Sequence, residues 1–442
     1  MASASTSASP YGVAANPWFG IEIEIFVKLR DTVKKTIKDR IKNRKRVSKF
    51  FEKWQFDLPN SEGNLDKKDK QRKYVGQAIE AILDQTFGDG HGWKCTADAS
   101  LKEYKLTLPP KPREWWGIEI ISPPVSIGSD WQTAIEQVFK SVTDTFNLWT
   151  NDFCATHVHV SVGPGRKAAY TLEQLMQVAR GAYFFENAFR QLLPQERREN
   201  RYAMANWRFL GTGEYWSVTE NGWVPVWNRL ALAGRSGKAV EFAKAMTVAE
   251  ADPSANPRYR STSFNPYERL KTTELRRQAG VASAKTAIRR VLLAVTLNVA
   301  SLEYDYAAAS QKLGKRHITV PELITILMTV LNTRLPGTCQ GAAFKTWLED
   351  CQRNYANDDT VRKFDEVAIN EREKNYRIYG QANPHLHRQR RALHANCRQP
   401  HGHQQQRVHP PALSHKQGLR TGILSVWLSG FSRGRGRVGD ER

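Results

Sequence analysis

The chain has 442 residues, 40% of them apolar, and a formal charge of +22, so it can bury one large core or two ordinary ones. The charge is concentrated: eleven Lys/Arg face only Asp31 and Asp39 over 28–49, and eleven more face two acids over 384–442. The body between is only mildly basic, which excludes a protein whose whole surface grips nucleic acid.

Residues 1–16 are rich in Ser and Ala and lack the basic and apolar stretches of a secretory signal, so they are expected to be a disordered leader. Gly20-Ile21-Glu22-Ile23-Glu24-Ile25-Phe26 then alternates with period two. A strand puts Glu22 and Glu24 on one face and three isoleucines on the other. Neighbouring glutamates repel each other unless a cation or bound group compensates. The bland alternative is a solvated edge strand.

A basic, helix-compatible stretch follows over 31–54, and a polar Asn/Gly/Asp/Lys-rich loop over 59–70. Residues 71–87 predict a helix with Val75, Ala78, Ile79, Ile82 and Leu83 on one stripe. Trp93-Lys94-Cys95-Thr96 predicts a strand running into a turn at Asp98-Ala99-Ser100. Trp116-Gly117-Ile118-Glu119-Ile120-Ile121 predicts another, with a lone glutamate between isoleucines and a stop at Pro123-Pro124. Residues 130–149 predict one amphipathic helix, with Ala134, Val138, Val142 and Phe146 four apart.

Thr156-His157-Val158-His159-Val160-Ser161-Val162-Gly163 alternates again, setting two histidines and Ser161 against three valines. Thr171-Leu172-Glu173-Gln174 is a capping box. The helix it opens carries Leu172, Leu175, Val178, Ala182, Phe189 and Leu192 inward, and Glu186 as a solvated or capping residue. Aromatics and glycines over 203–257 predict short strands and loops, a lid or acceptor-binding insertion. Thr273-Glu274-Leu275-Arg276 places Glu274 and Arg276 on one side of a strand, and helices over 282–312 and on to about 379 pack behind.

Four strands thus offer Glu22, Glu24, Glu119, His157, His159, Glu274 and Arg276 on faces whose reverse sides are aliphatic. One sheet could collect them. Carboxylates and imidazoles suit a hard divalent cation whose shell phosphate oxygens complete, and arginine suits a transferring phosphoryl group. Strands and helices alternate irregularly and no G-x-x-x-x-G-K-[ST] loop is present. The pattern predicts an α+β fold in which any nucleotide is held through metal and basic side chains.

The ordered motifs G-I-E-I-E (20–24), W-x-x-x-x-D-x-S-L (93–101), G-I-E-I-I-S-P (117–123), T-H-V-H-V-S-V-G (156–163), R-R-E-N-R-Y (197–202) and E-L-R-R-Q-A-G (274–280) resemble those of amidoligase enzymes. These are carboxylate-amine ligases related to glutamate-cysteine ligase and glutamine synthetase. The resemblance spans about 18–310. It implies a curved antiparallel sheet, a cup of glutamine synthetase-like type backed by helices, whose concave face binds ATP and two or three Mg2+. By the same resemblance Glu22, Glu24, Glu119 and Glu274 are metal ligands, and His157 or His159 lies near the nucleotide phosphates or metal. Arg276 contacts the transferring phosphate, while Asp98 and Arg198 contact substrate, cofactor or metal. The implied reaction is ATP-dependent phosphorylation of a carboxylate to an acyl phosphate, which an amine attacks to give an amide. The sequence departs from the family at Gln278, where a histidine is usual, in the long basic insertion at 28–70, and after about residue 380.

The expected organisation is a catalytic domain over 17–380, carrying the basic insertion 28–70 and the loop-rich insertion 203–257, then a basic tail over 384–442. The tail has seven of the eleven histidines and no sustained apolar periodicity, so it cannot bury a core. It is either disordered or sequence read through an intron or in a shifted frame. Two other functions compete. A metal-dependent hydrolase could use the same Glu/His set, and a nucleic-acid-binding protein would rest on 28–49 and the tail. Five scattered cysteines, Cys95, Cys154, Cys339, Cys351 and Cys397, fit a reducing, cytoplasmic or nuclear compartment. Cys154, beside the histidine strand, is the one candidate nucleophile. The longest apolar run, 291–302, is too short to span a bilayer. Expected partners are small-molecule or peptide carboxylates and amines.

Overall fold

A computed structural model describes residues 16–43, 65–98, 101, 115–151, 153–198, 200, 202–209, 214–247, 259–335 and 341–355. The leader up to residue 15, most of the basic insertion beyond residue 43, the tail, Ser100, Cys339 and Cys397 lie outside them, as do the expectations placed there.

The fold is α+β, built on an open antiparallel sheet. Its strands are β1 (Trp18–Leu29), β2 (Lys94–Thr96), β3 (Trp116–Ile121), β4 (Val125–Ser126), β5 (Phe146–Trp149), β6 (Ala155–Ser161), β7 (Thr262–Ser263) and β8 (Thr273–Ala279). They run in the order β2-β3-β1-β6-β8-β7, while β4 and β5 extend the pairing at the two ends of β1. The 12-residue β1 is long enough to take all four of these partners.

The apolar alternation forms the back of the sheet. Ile21, Ile23, Ile25 and Val27 of β1 join Ile118, Ile120, Val158, Val160 and Leu275 in one buried core. Helix Leu65–Phe87 covers β2 and β3 with Val75, Ala78, Ile79 and Leu83, and helix Ala284–Glu303 lies against β1 and β6. The latter helix is opened by Ser283, whose hydroxyl accepts from the Thr286 amide, and is buried along most of its length. At Gly181, in helix Leu172–Phe184, an added Cβ would come 1.9 Å from Ser301 Oγ. Only glycine lets these two helices approach so closely.

Several sequence expectations need correction. The predicted helix 130–149 stops at Thr145, and Phe146–Trp149 is β5, paired with Phe26–Leu29. The buried stripe is Trp131, Ile135, Val138, Phe139 and Val142. Helix Leu65–Phe87 begins inside the expected loop. The capping box at Thr171 forms, but its helix ends at Phe184 and a second, Glu186–Gln191, carries Phe189. The described part of 203–257 is helical, with helices Glu214–Asn221, Val224–Ala233 and Ala239–Ala245, because its aromatics pack inward with helical spacing.

Candidate functional site

The polar face of the sheet is assembled by register. Across β1 and β3, Glu24 is the partner of Glu119; across β1 and β6, Glu22 is the partner of His157; across β6 and β8, His159 is the partner of Glu274. The strands whose reverse faces fill the core thus deliver all four glutamates and both histidines to one place. Glu24, Glu119, His157, His159 and Glu274 are buried, while Glu22 is partly open.

Three overlapping ligand groups result: Glu22/Glu119/His157, Glu22/His159/Glu274 and Glu24/Asp98/Glu119, with the donor atoms of each within 4.8 Å of one another. His157 Nδ1 lies 3.3 Å from Glu22 Oε2 and 3.7 Å from Glu274 Oε1, and its Nε2 lies 3.6 Å from Glu24 Oε1. His159 Nε2 lies 3.2 Å from Glu22 Oε1, and its Nδ1 is 3.0 Å from Thr272 Oγ1, which fixes the ring. Glu24 accepts a 2.8 Å hydrogen bond from the Ala155 amide, and Glu119 accepts one from Thr96 Oγ1 at 3.3 Å. Arg276 donates to Glu274, so the two stand on the same side of β8 as their spacing predicts.

Crowding so many charges inside a fold leaves a signature. Burial, compounded by Glu22, Asp98 and Glu24, pushes Glu119 well above the usual carboxylate range. Burial likewise raises Glu24. For Glu22 burial works upward too, but His159 and His157 outweigh it and hold the carboxyl well below its ordinary value. Burial opposes protonation of His159, yet Glu22 and Glu274 raise it overall. Among the described residues, the cluster has more acid than its histidines and arginine neutralise.

The other sequence candidates separate. Asp98 joins the cluster through Glu24 and Glu119. Arg198 donates Nε to the Leu193 carbonyl at 2.8 Å; it is Arg197, one residue earlier, whose charge bears on Glu24. Glu186, expected in solvent, is buried and ion-paired to Arg277. Cys154 is fully buried beside Phe26, Leu101 and Trp149, and burial drives its thiol well above the ordinary range. That disfavours the thiolate a nucleophile requires. Gln278 is buried and donates to the Arg290 carbonyl on the helix behind the sheet. Sequence reasoning missed Arg197, Arg277 and Thr272; the doubled arginines at 197–198 and 276–277 were the available signal.

An open antiparallel sheet with an acidic, imidazole-bearing face, backed by helices, is the class of protein this geometry defines. Residues 16–207 match the family model described as "Putative amidoligase enzyme", and the match supports an amide ligase. It covers β1 to β6 and ends before β8, so Glu274 and Arg276 are supplied by chain beyond it. No curated protein and no solved structure matches the chain. No helix among the described residues is long and apolar enough to cross a membrane.

Proposed function

We propose that the protein is an ATP- and Mg2+-dependent carboxylate-amine ligase that forms an amide or isopeptide bond through an acyl phosphate. The observation that carries this reading is the set of three donor groups on one face, the first linked to the second through Glu22 and to the third through Glu119. The residues fit hard divalent ions: the donors are carboxylate oxygens with imidazole, and Glu119 is a buried acid crowded by three others. Glu22, Glu24, Glu119, Glu274 and Asp98 would hold the ions, with His157 and His159 completing or orienting the shell. The sheet would then act as the concave, nucleotide-binding face of a glutamine synthetase-like cup.

Divalent ions there would supply neutralisation of the triphosphate and orientation of its terminal group. The rest falls to the chain. Arg276 lies at the edge of the cluster, its charge strengthened overall by Glu274, Glu22 and Glu24 although burial opposes it. Its Nε is buried and makes no hydrogen bond among the described residues, which leaves a donor for a phosphate oxygen. A phosphoryl group placed against Arg276 would have its developing charge stabilised while the substrate carboxylate attacks. The amine then displaces phosphate from the acyl phosphate, its proton passing to the departing phosphate. No side-chain nucleophile is needed.

The test is thermal stabilisation of the full chain by ATP with Mg2+, followed by a screen of amino acids, polyamines and peptides for ADP-releasing condensation. Nucleotide-dependent stabilisation and an amide product are expected. Metal-dependent hydrolysis with no response to ATP would replace this reading with that of a hydrolase.

A further inference from the structure

Between the pairs Val158–Leu275 and Thr156–Gln278 the β6–β8 register shifts. One residue of β6, His157, is therefore faced by two of β8, Arg276 and Arg277. This is a β-bulge, which re-aims side chains and takes main-chain groups out of the ladder. It sits at the end of the short β7 pairing on the outer flank of β8: β7 pairs with Leu275 and Glu274, and among the described residues no further strand ladder continues past them. A bulge at an open edge is soft unless something holds it.

Two arginines hold it reciprocally. Arg197 donates Nη2 to the Arg276 carbonyl at 3.0 Å and Nε to the Arg277 carbonyl at 3.3 Å. Arg277 answers by donating Nε to the Arg197 carbonyl at 3.1 Å and Nη2 to the Arg198 carbonyl, while its Nη1 pairs with Glu186. Arg197, Arg277 and Glu186 are 2%, 1% and 4% exposed. The Arg276 amide is fixed as well, donating to the Ser261 carbonyl at 2.8 Å. An ordinary edge strand does not need two buried guanidinium groups crossed over its backbone, each of which is expensive to desolvate.

We propose that Arg197 and Arg277 are positioning residues: their clasp, anchored on Glu186, fixes the bulge so that Glu274 and Arg276 face the carboxylate–imidazole cluster. This rests on the metal- and nucleotide-binding reading of that cluster. Neither arginine is assigned contact with substrate. Arginine is required because a lysine offers a single ammonium and lacks the planar fork that spans two carbonyls.

The test measures Mn2+ affinity by electron paramagnetic resonance and, by calorimetry with Mg2+, the preference for a non-hydrolysable ATP analogue over ADP. Both are read on the full chain carrying Arg197→Lys and, separately, on the paired variant Glu186→Gln/Arg277→Met, which removes both halves of the buried ion pair together in case one substitution alone fails to fold. The expected result is a folded protein whose preference for the triphosphate falls roughly tenfold. In an Arg276→Lys background the same substitutions should add little to the loss of triphosphate preference, since that part acts through Arg276. Unchanged preference and Mn2+ affinity in folded variants, or fully additive losses, would assign the clasp to stability alone and overturn the proposal. Wild-type protein that binds neither Mn2+ nor nucleotide would remove the reading beneath it and the positioning role together, a failure visible before any variant is compared.

Discussion

Glu24 and Glu119 face each other across adjacent antiparallel strands, both buried, as residue partners in one ladder. Like charges directly opposite one another destabilise a sheet. The arrangement is costly to an empty protein and useful to one that binds cations, and the two states can be told apart.

Glu119→Gln should raise the melting temperature of the metal-free protein at pH 7–8. Because the folded chain holds this proton more tightly than the unfolded one, stability falls as pH rises from near 4.5 through the raised folded value. The advantage of the variant should shrink toward pH 4.5. Added Mg2+ should stabilise the wild type more than the variant, closing the gap. Thermal melts over pH with and without Mg2+ decide it: an advantage that is flat with pH, or indifferent to Mg2+, contradicts the site.

Glu274→Gln and Arg276→Lys should fail differently although they touch. The first should weaken metal-dependent ATP binding. The second should leave metal affinity largely intact, lower the preference for the triphosphate about tenfold and slow ADP release by roughly 10²-fold, since lysine loses the bidentate geometry. Normal metal dependence in one and normal turnover in the other would take β8 out of the active site.

Cys154→Ala should retain activity and cost about 1–2 kcal/mol of stability, the loss of a small buried group from the cluster with Phe26 and Trp149. Iodoacetamide should not inactivate the native enzyme at pH 7, because the thiol is buried and raised. Rapid inactivation that the substitution abolishes would restore covalent catalysis.

The strands were legible because alternation of Glu and His with Ile and Val has only one simple geometric meaning, and Glu22, Glu24, Glu119, His157, His159 and Glu274 share one face as their periods require. β5 was not legible. Phe146 continues the four-residue spacing of the helix before it, and only its pairing with β1, a contact made in three dimensions, turns it into strand. The aromatic stretch after residue 203 misled in the same way, since tryptophans favour strands in general and here pack as helices. The clasp was hidden for a different reason. Which of two adjacent arginines meets β8 depends on a four-residue helix, Gln195–Arg198, and on a bulge that leaves no mark in composition.

Gly181→Ala should destabilise by about 1–3 kcal/mol, as its methyl group would overlap Ser301 Oγ and crowd Tyr306 Oη. Ser301→Ala in the same chain should recover part of the loss in chemical denaturation. A fully tolerated Gly181→Ala would mean that the two helices pack less tightly than described.

The pairings that build the cluster are long-range. His157 reaches Glu22 over 135 residues, the Ala155 amide reaches Glu24 over 131, and His159 reaches Thr272 over 113. Closing such loops is slow relative to local helix formation. No early folding intermediate built from neighbouring segments can therefore contain the site, and cation binding should appear only in the last refolding phase. A cell, or a refolding experiment, could use that ion as a report that the whole chain has found its place.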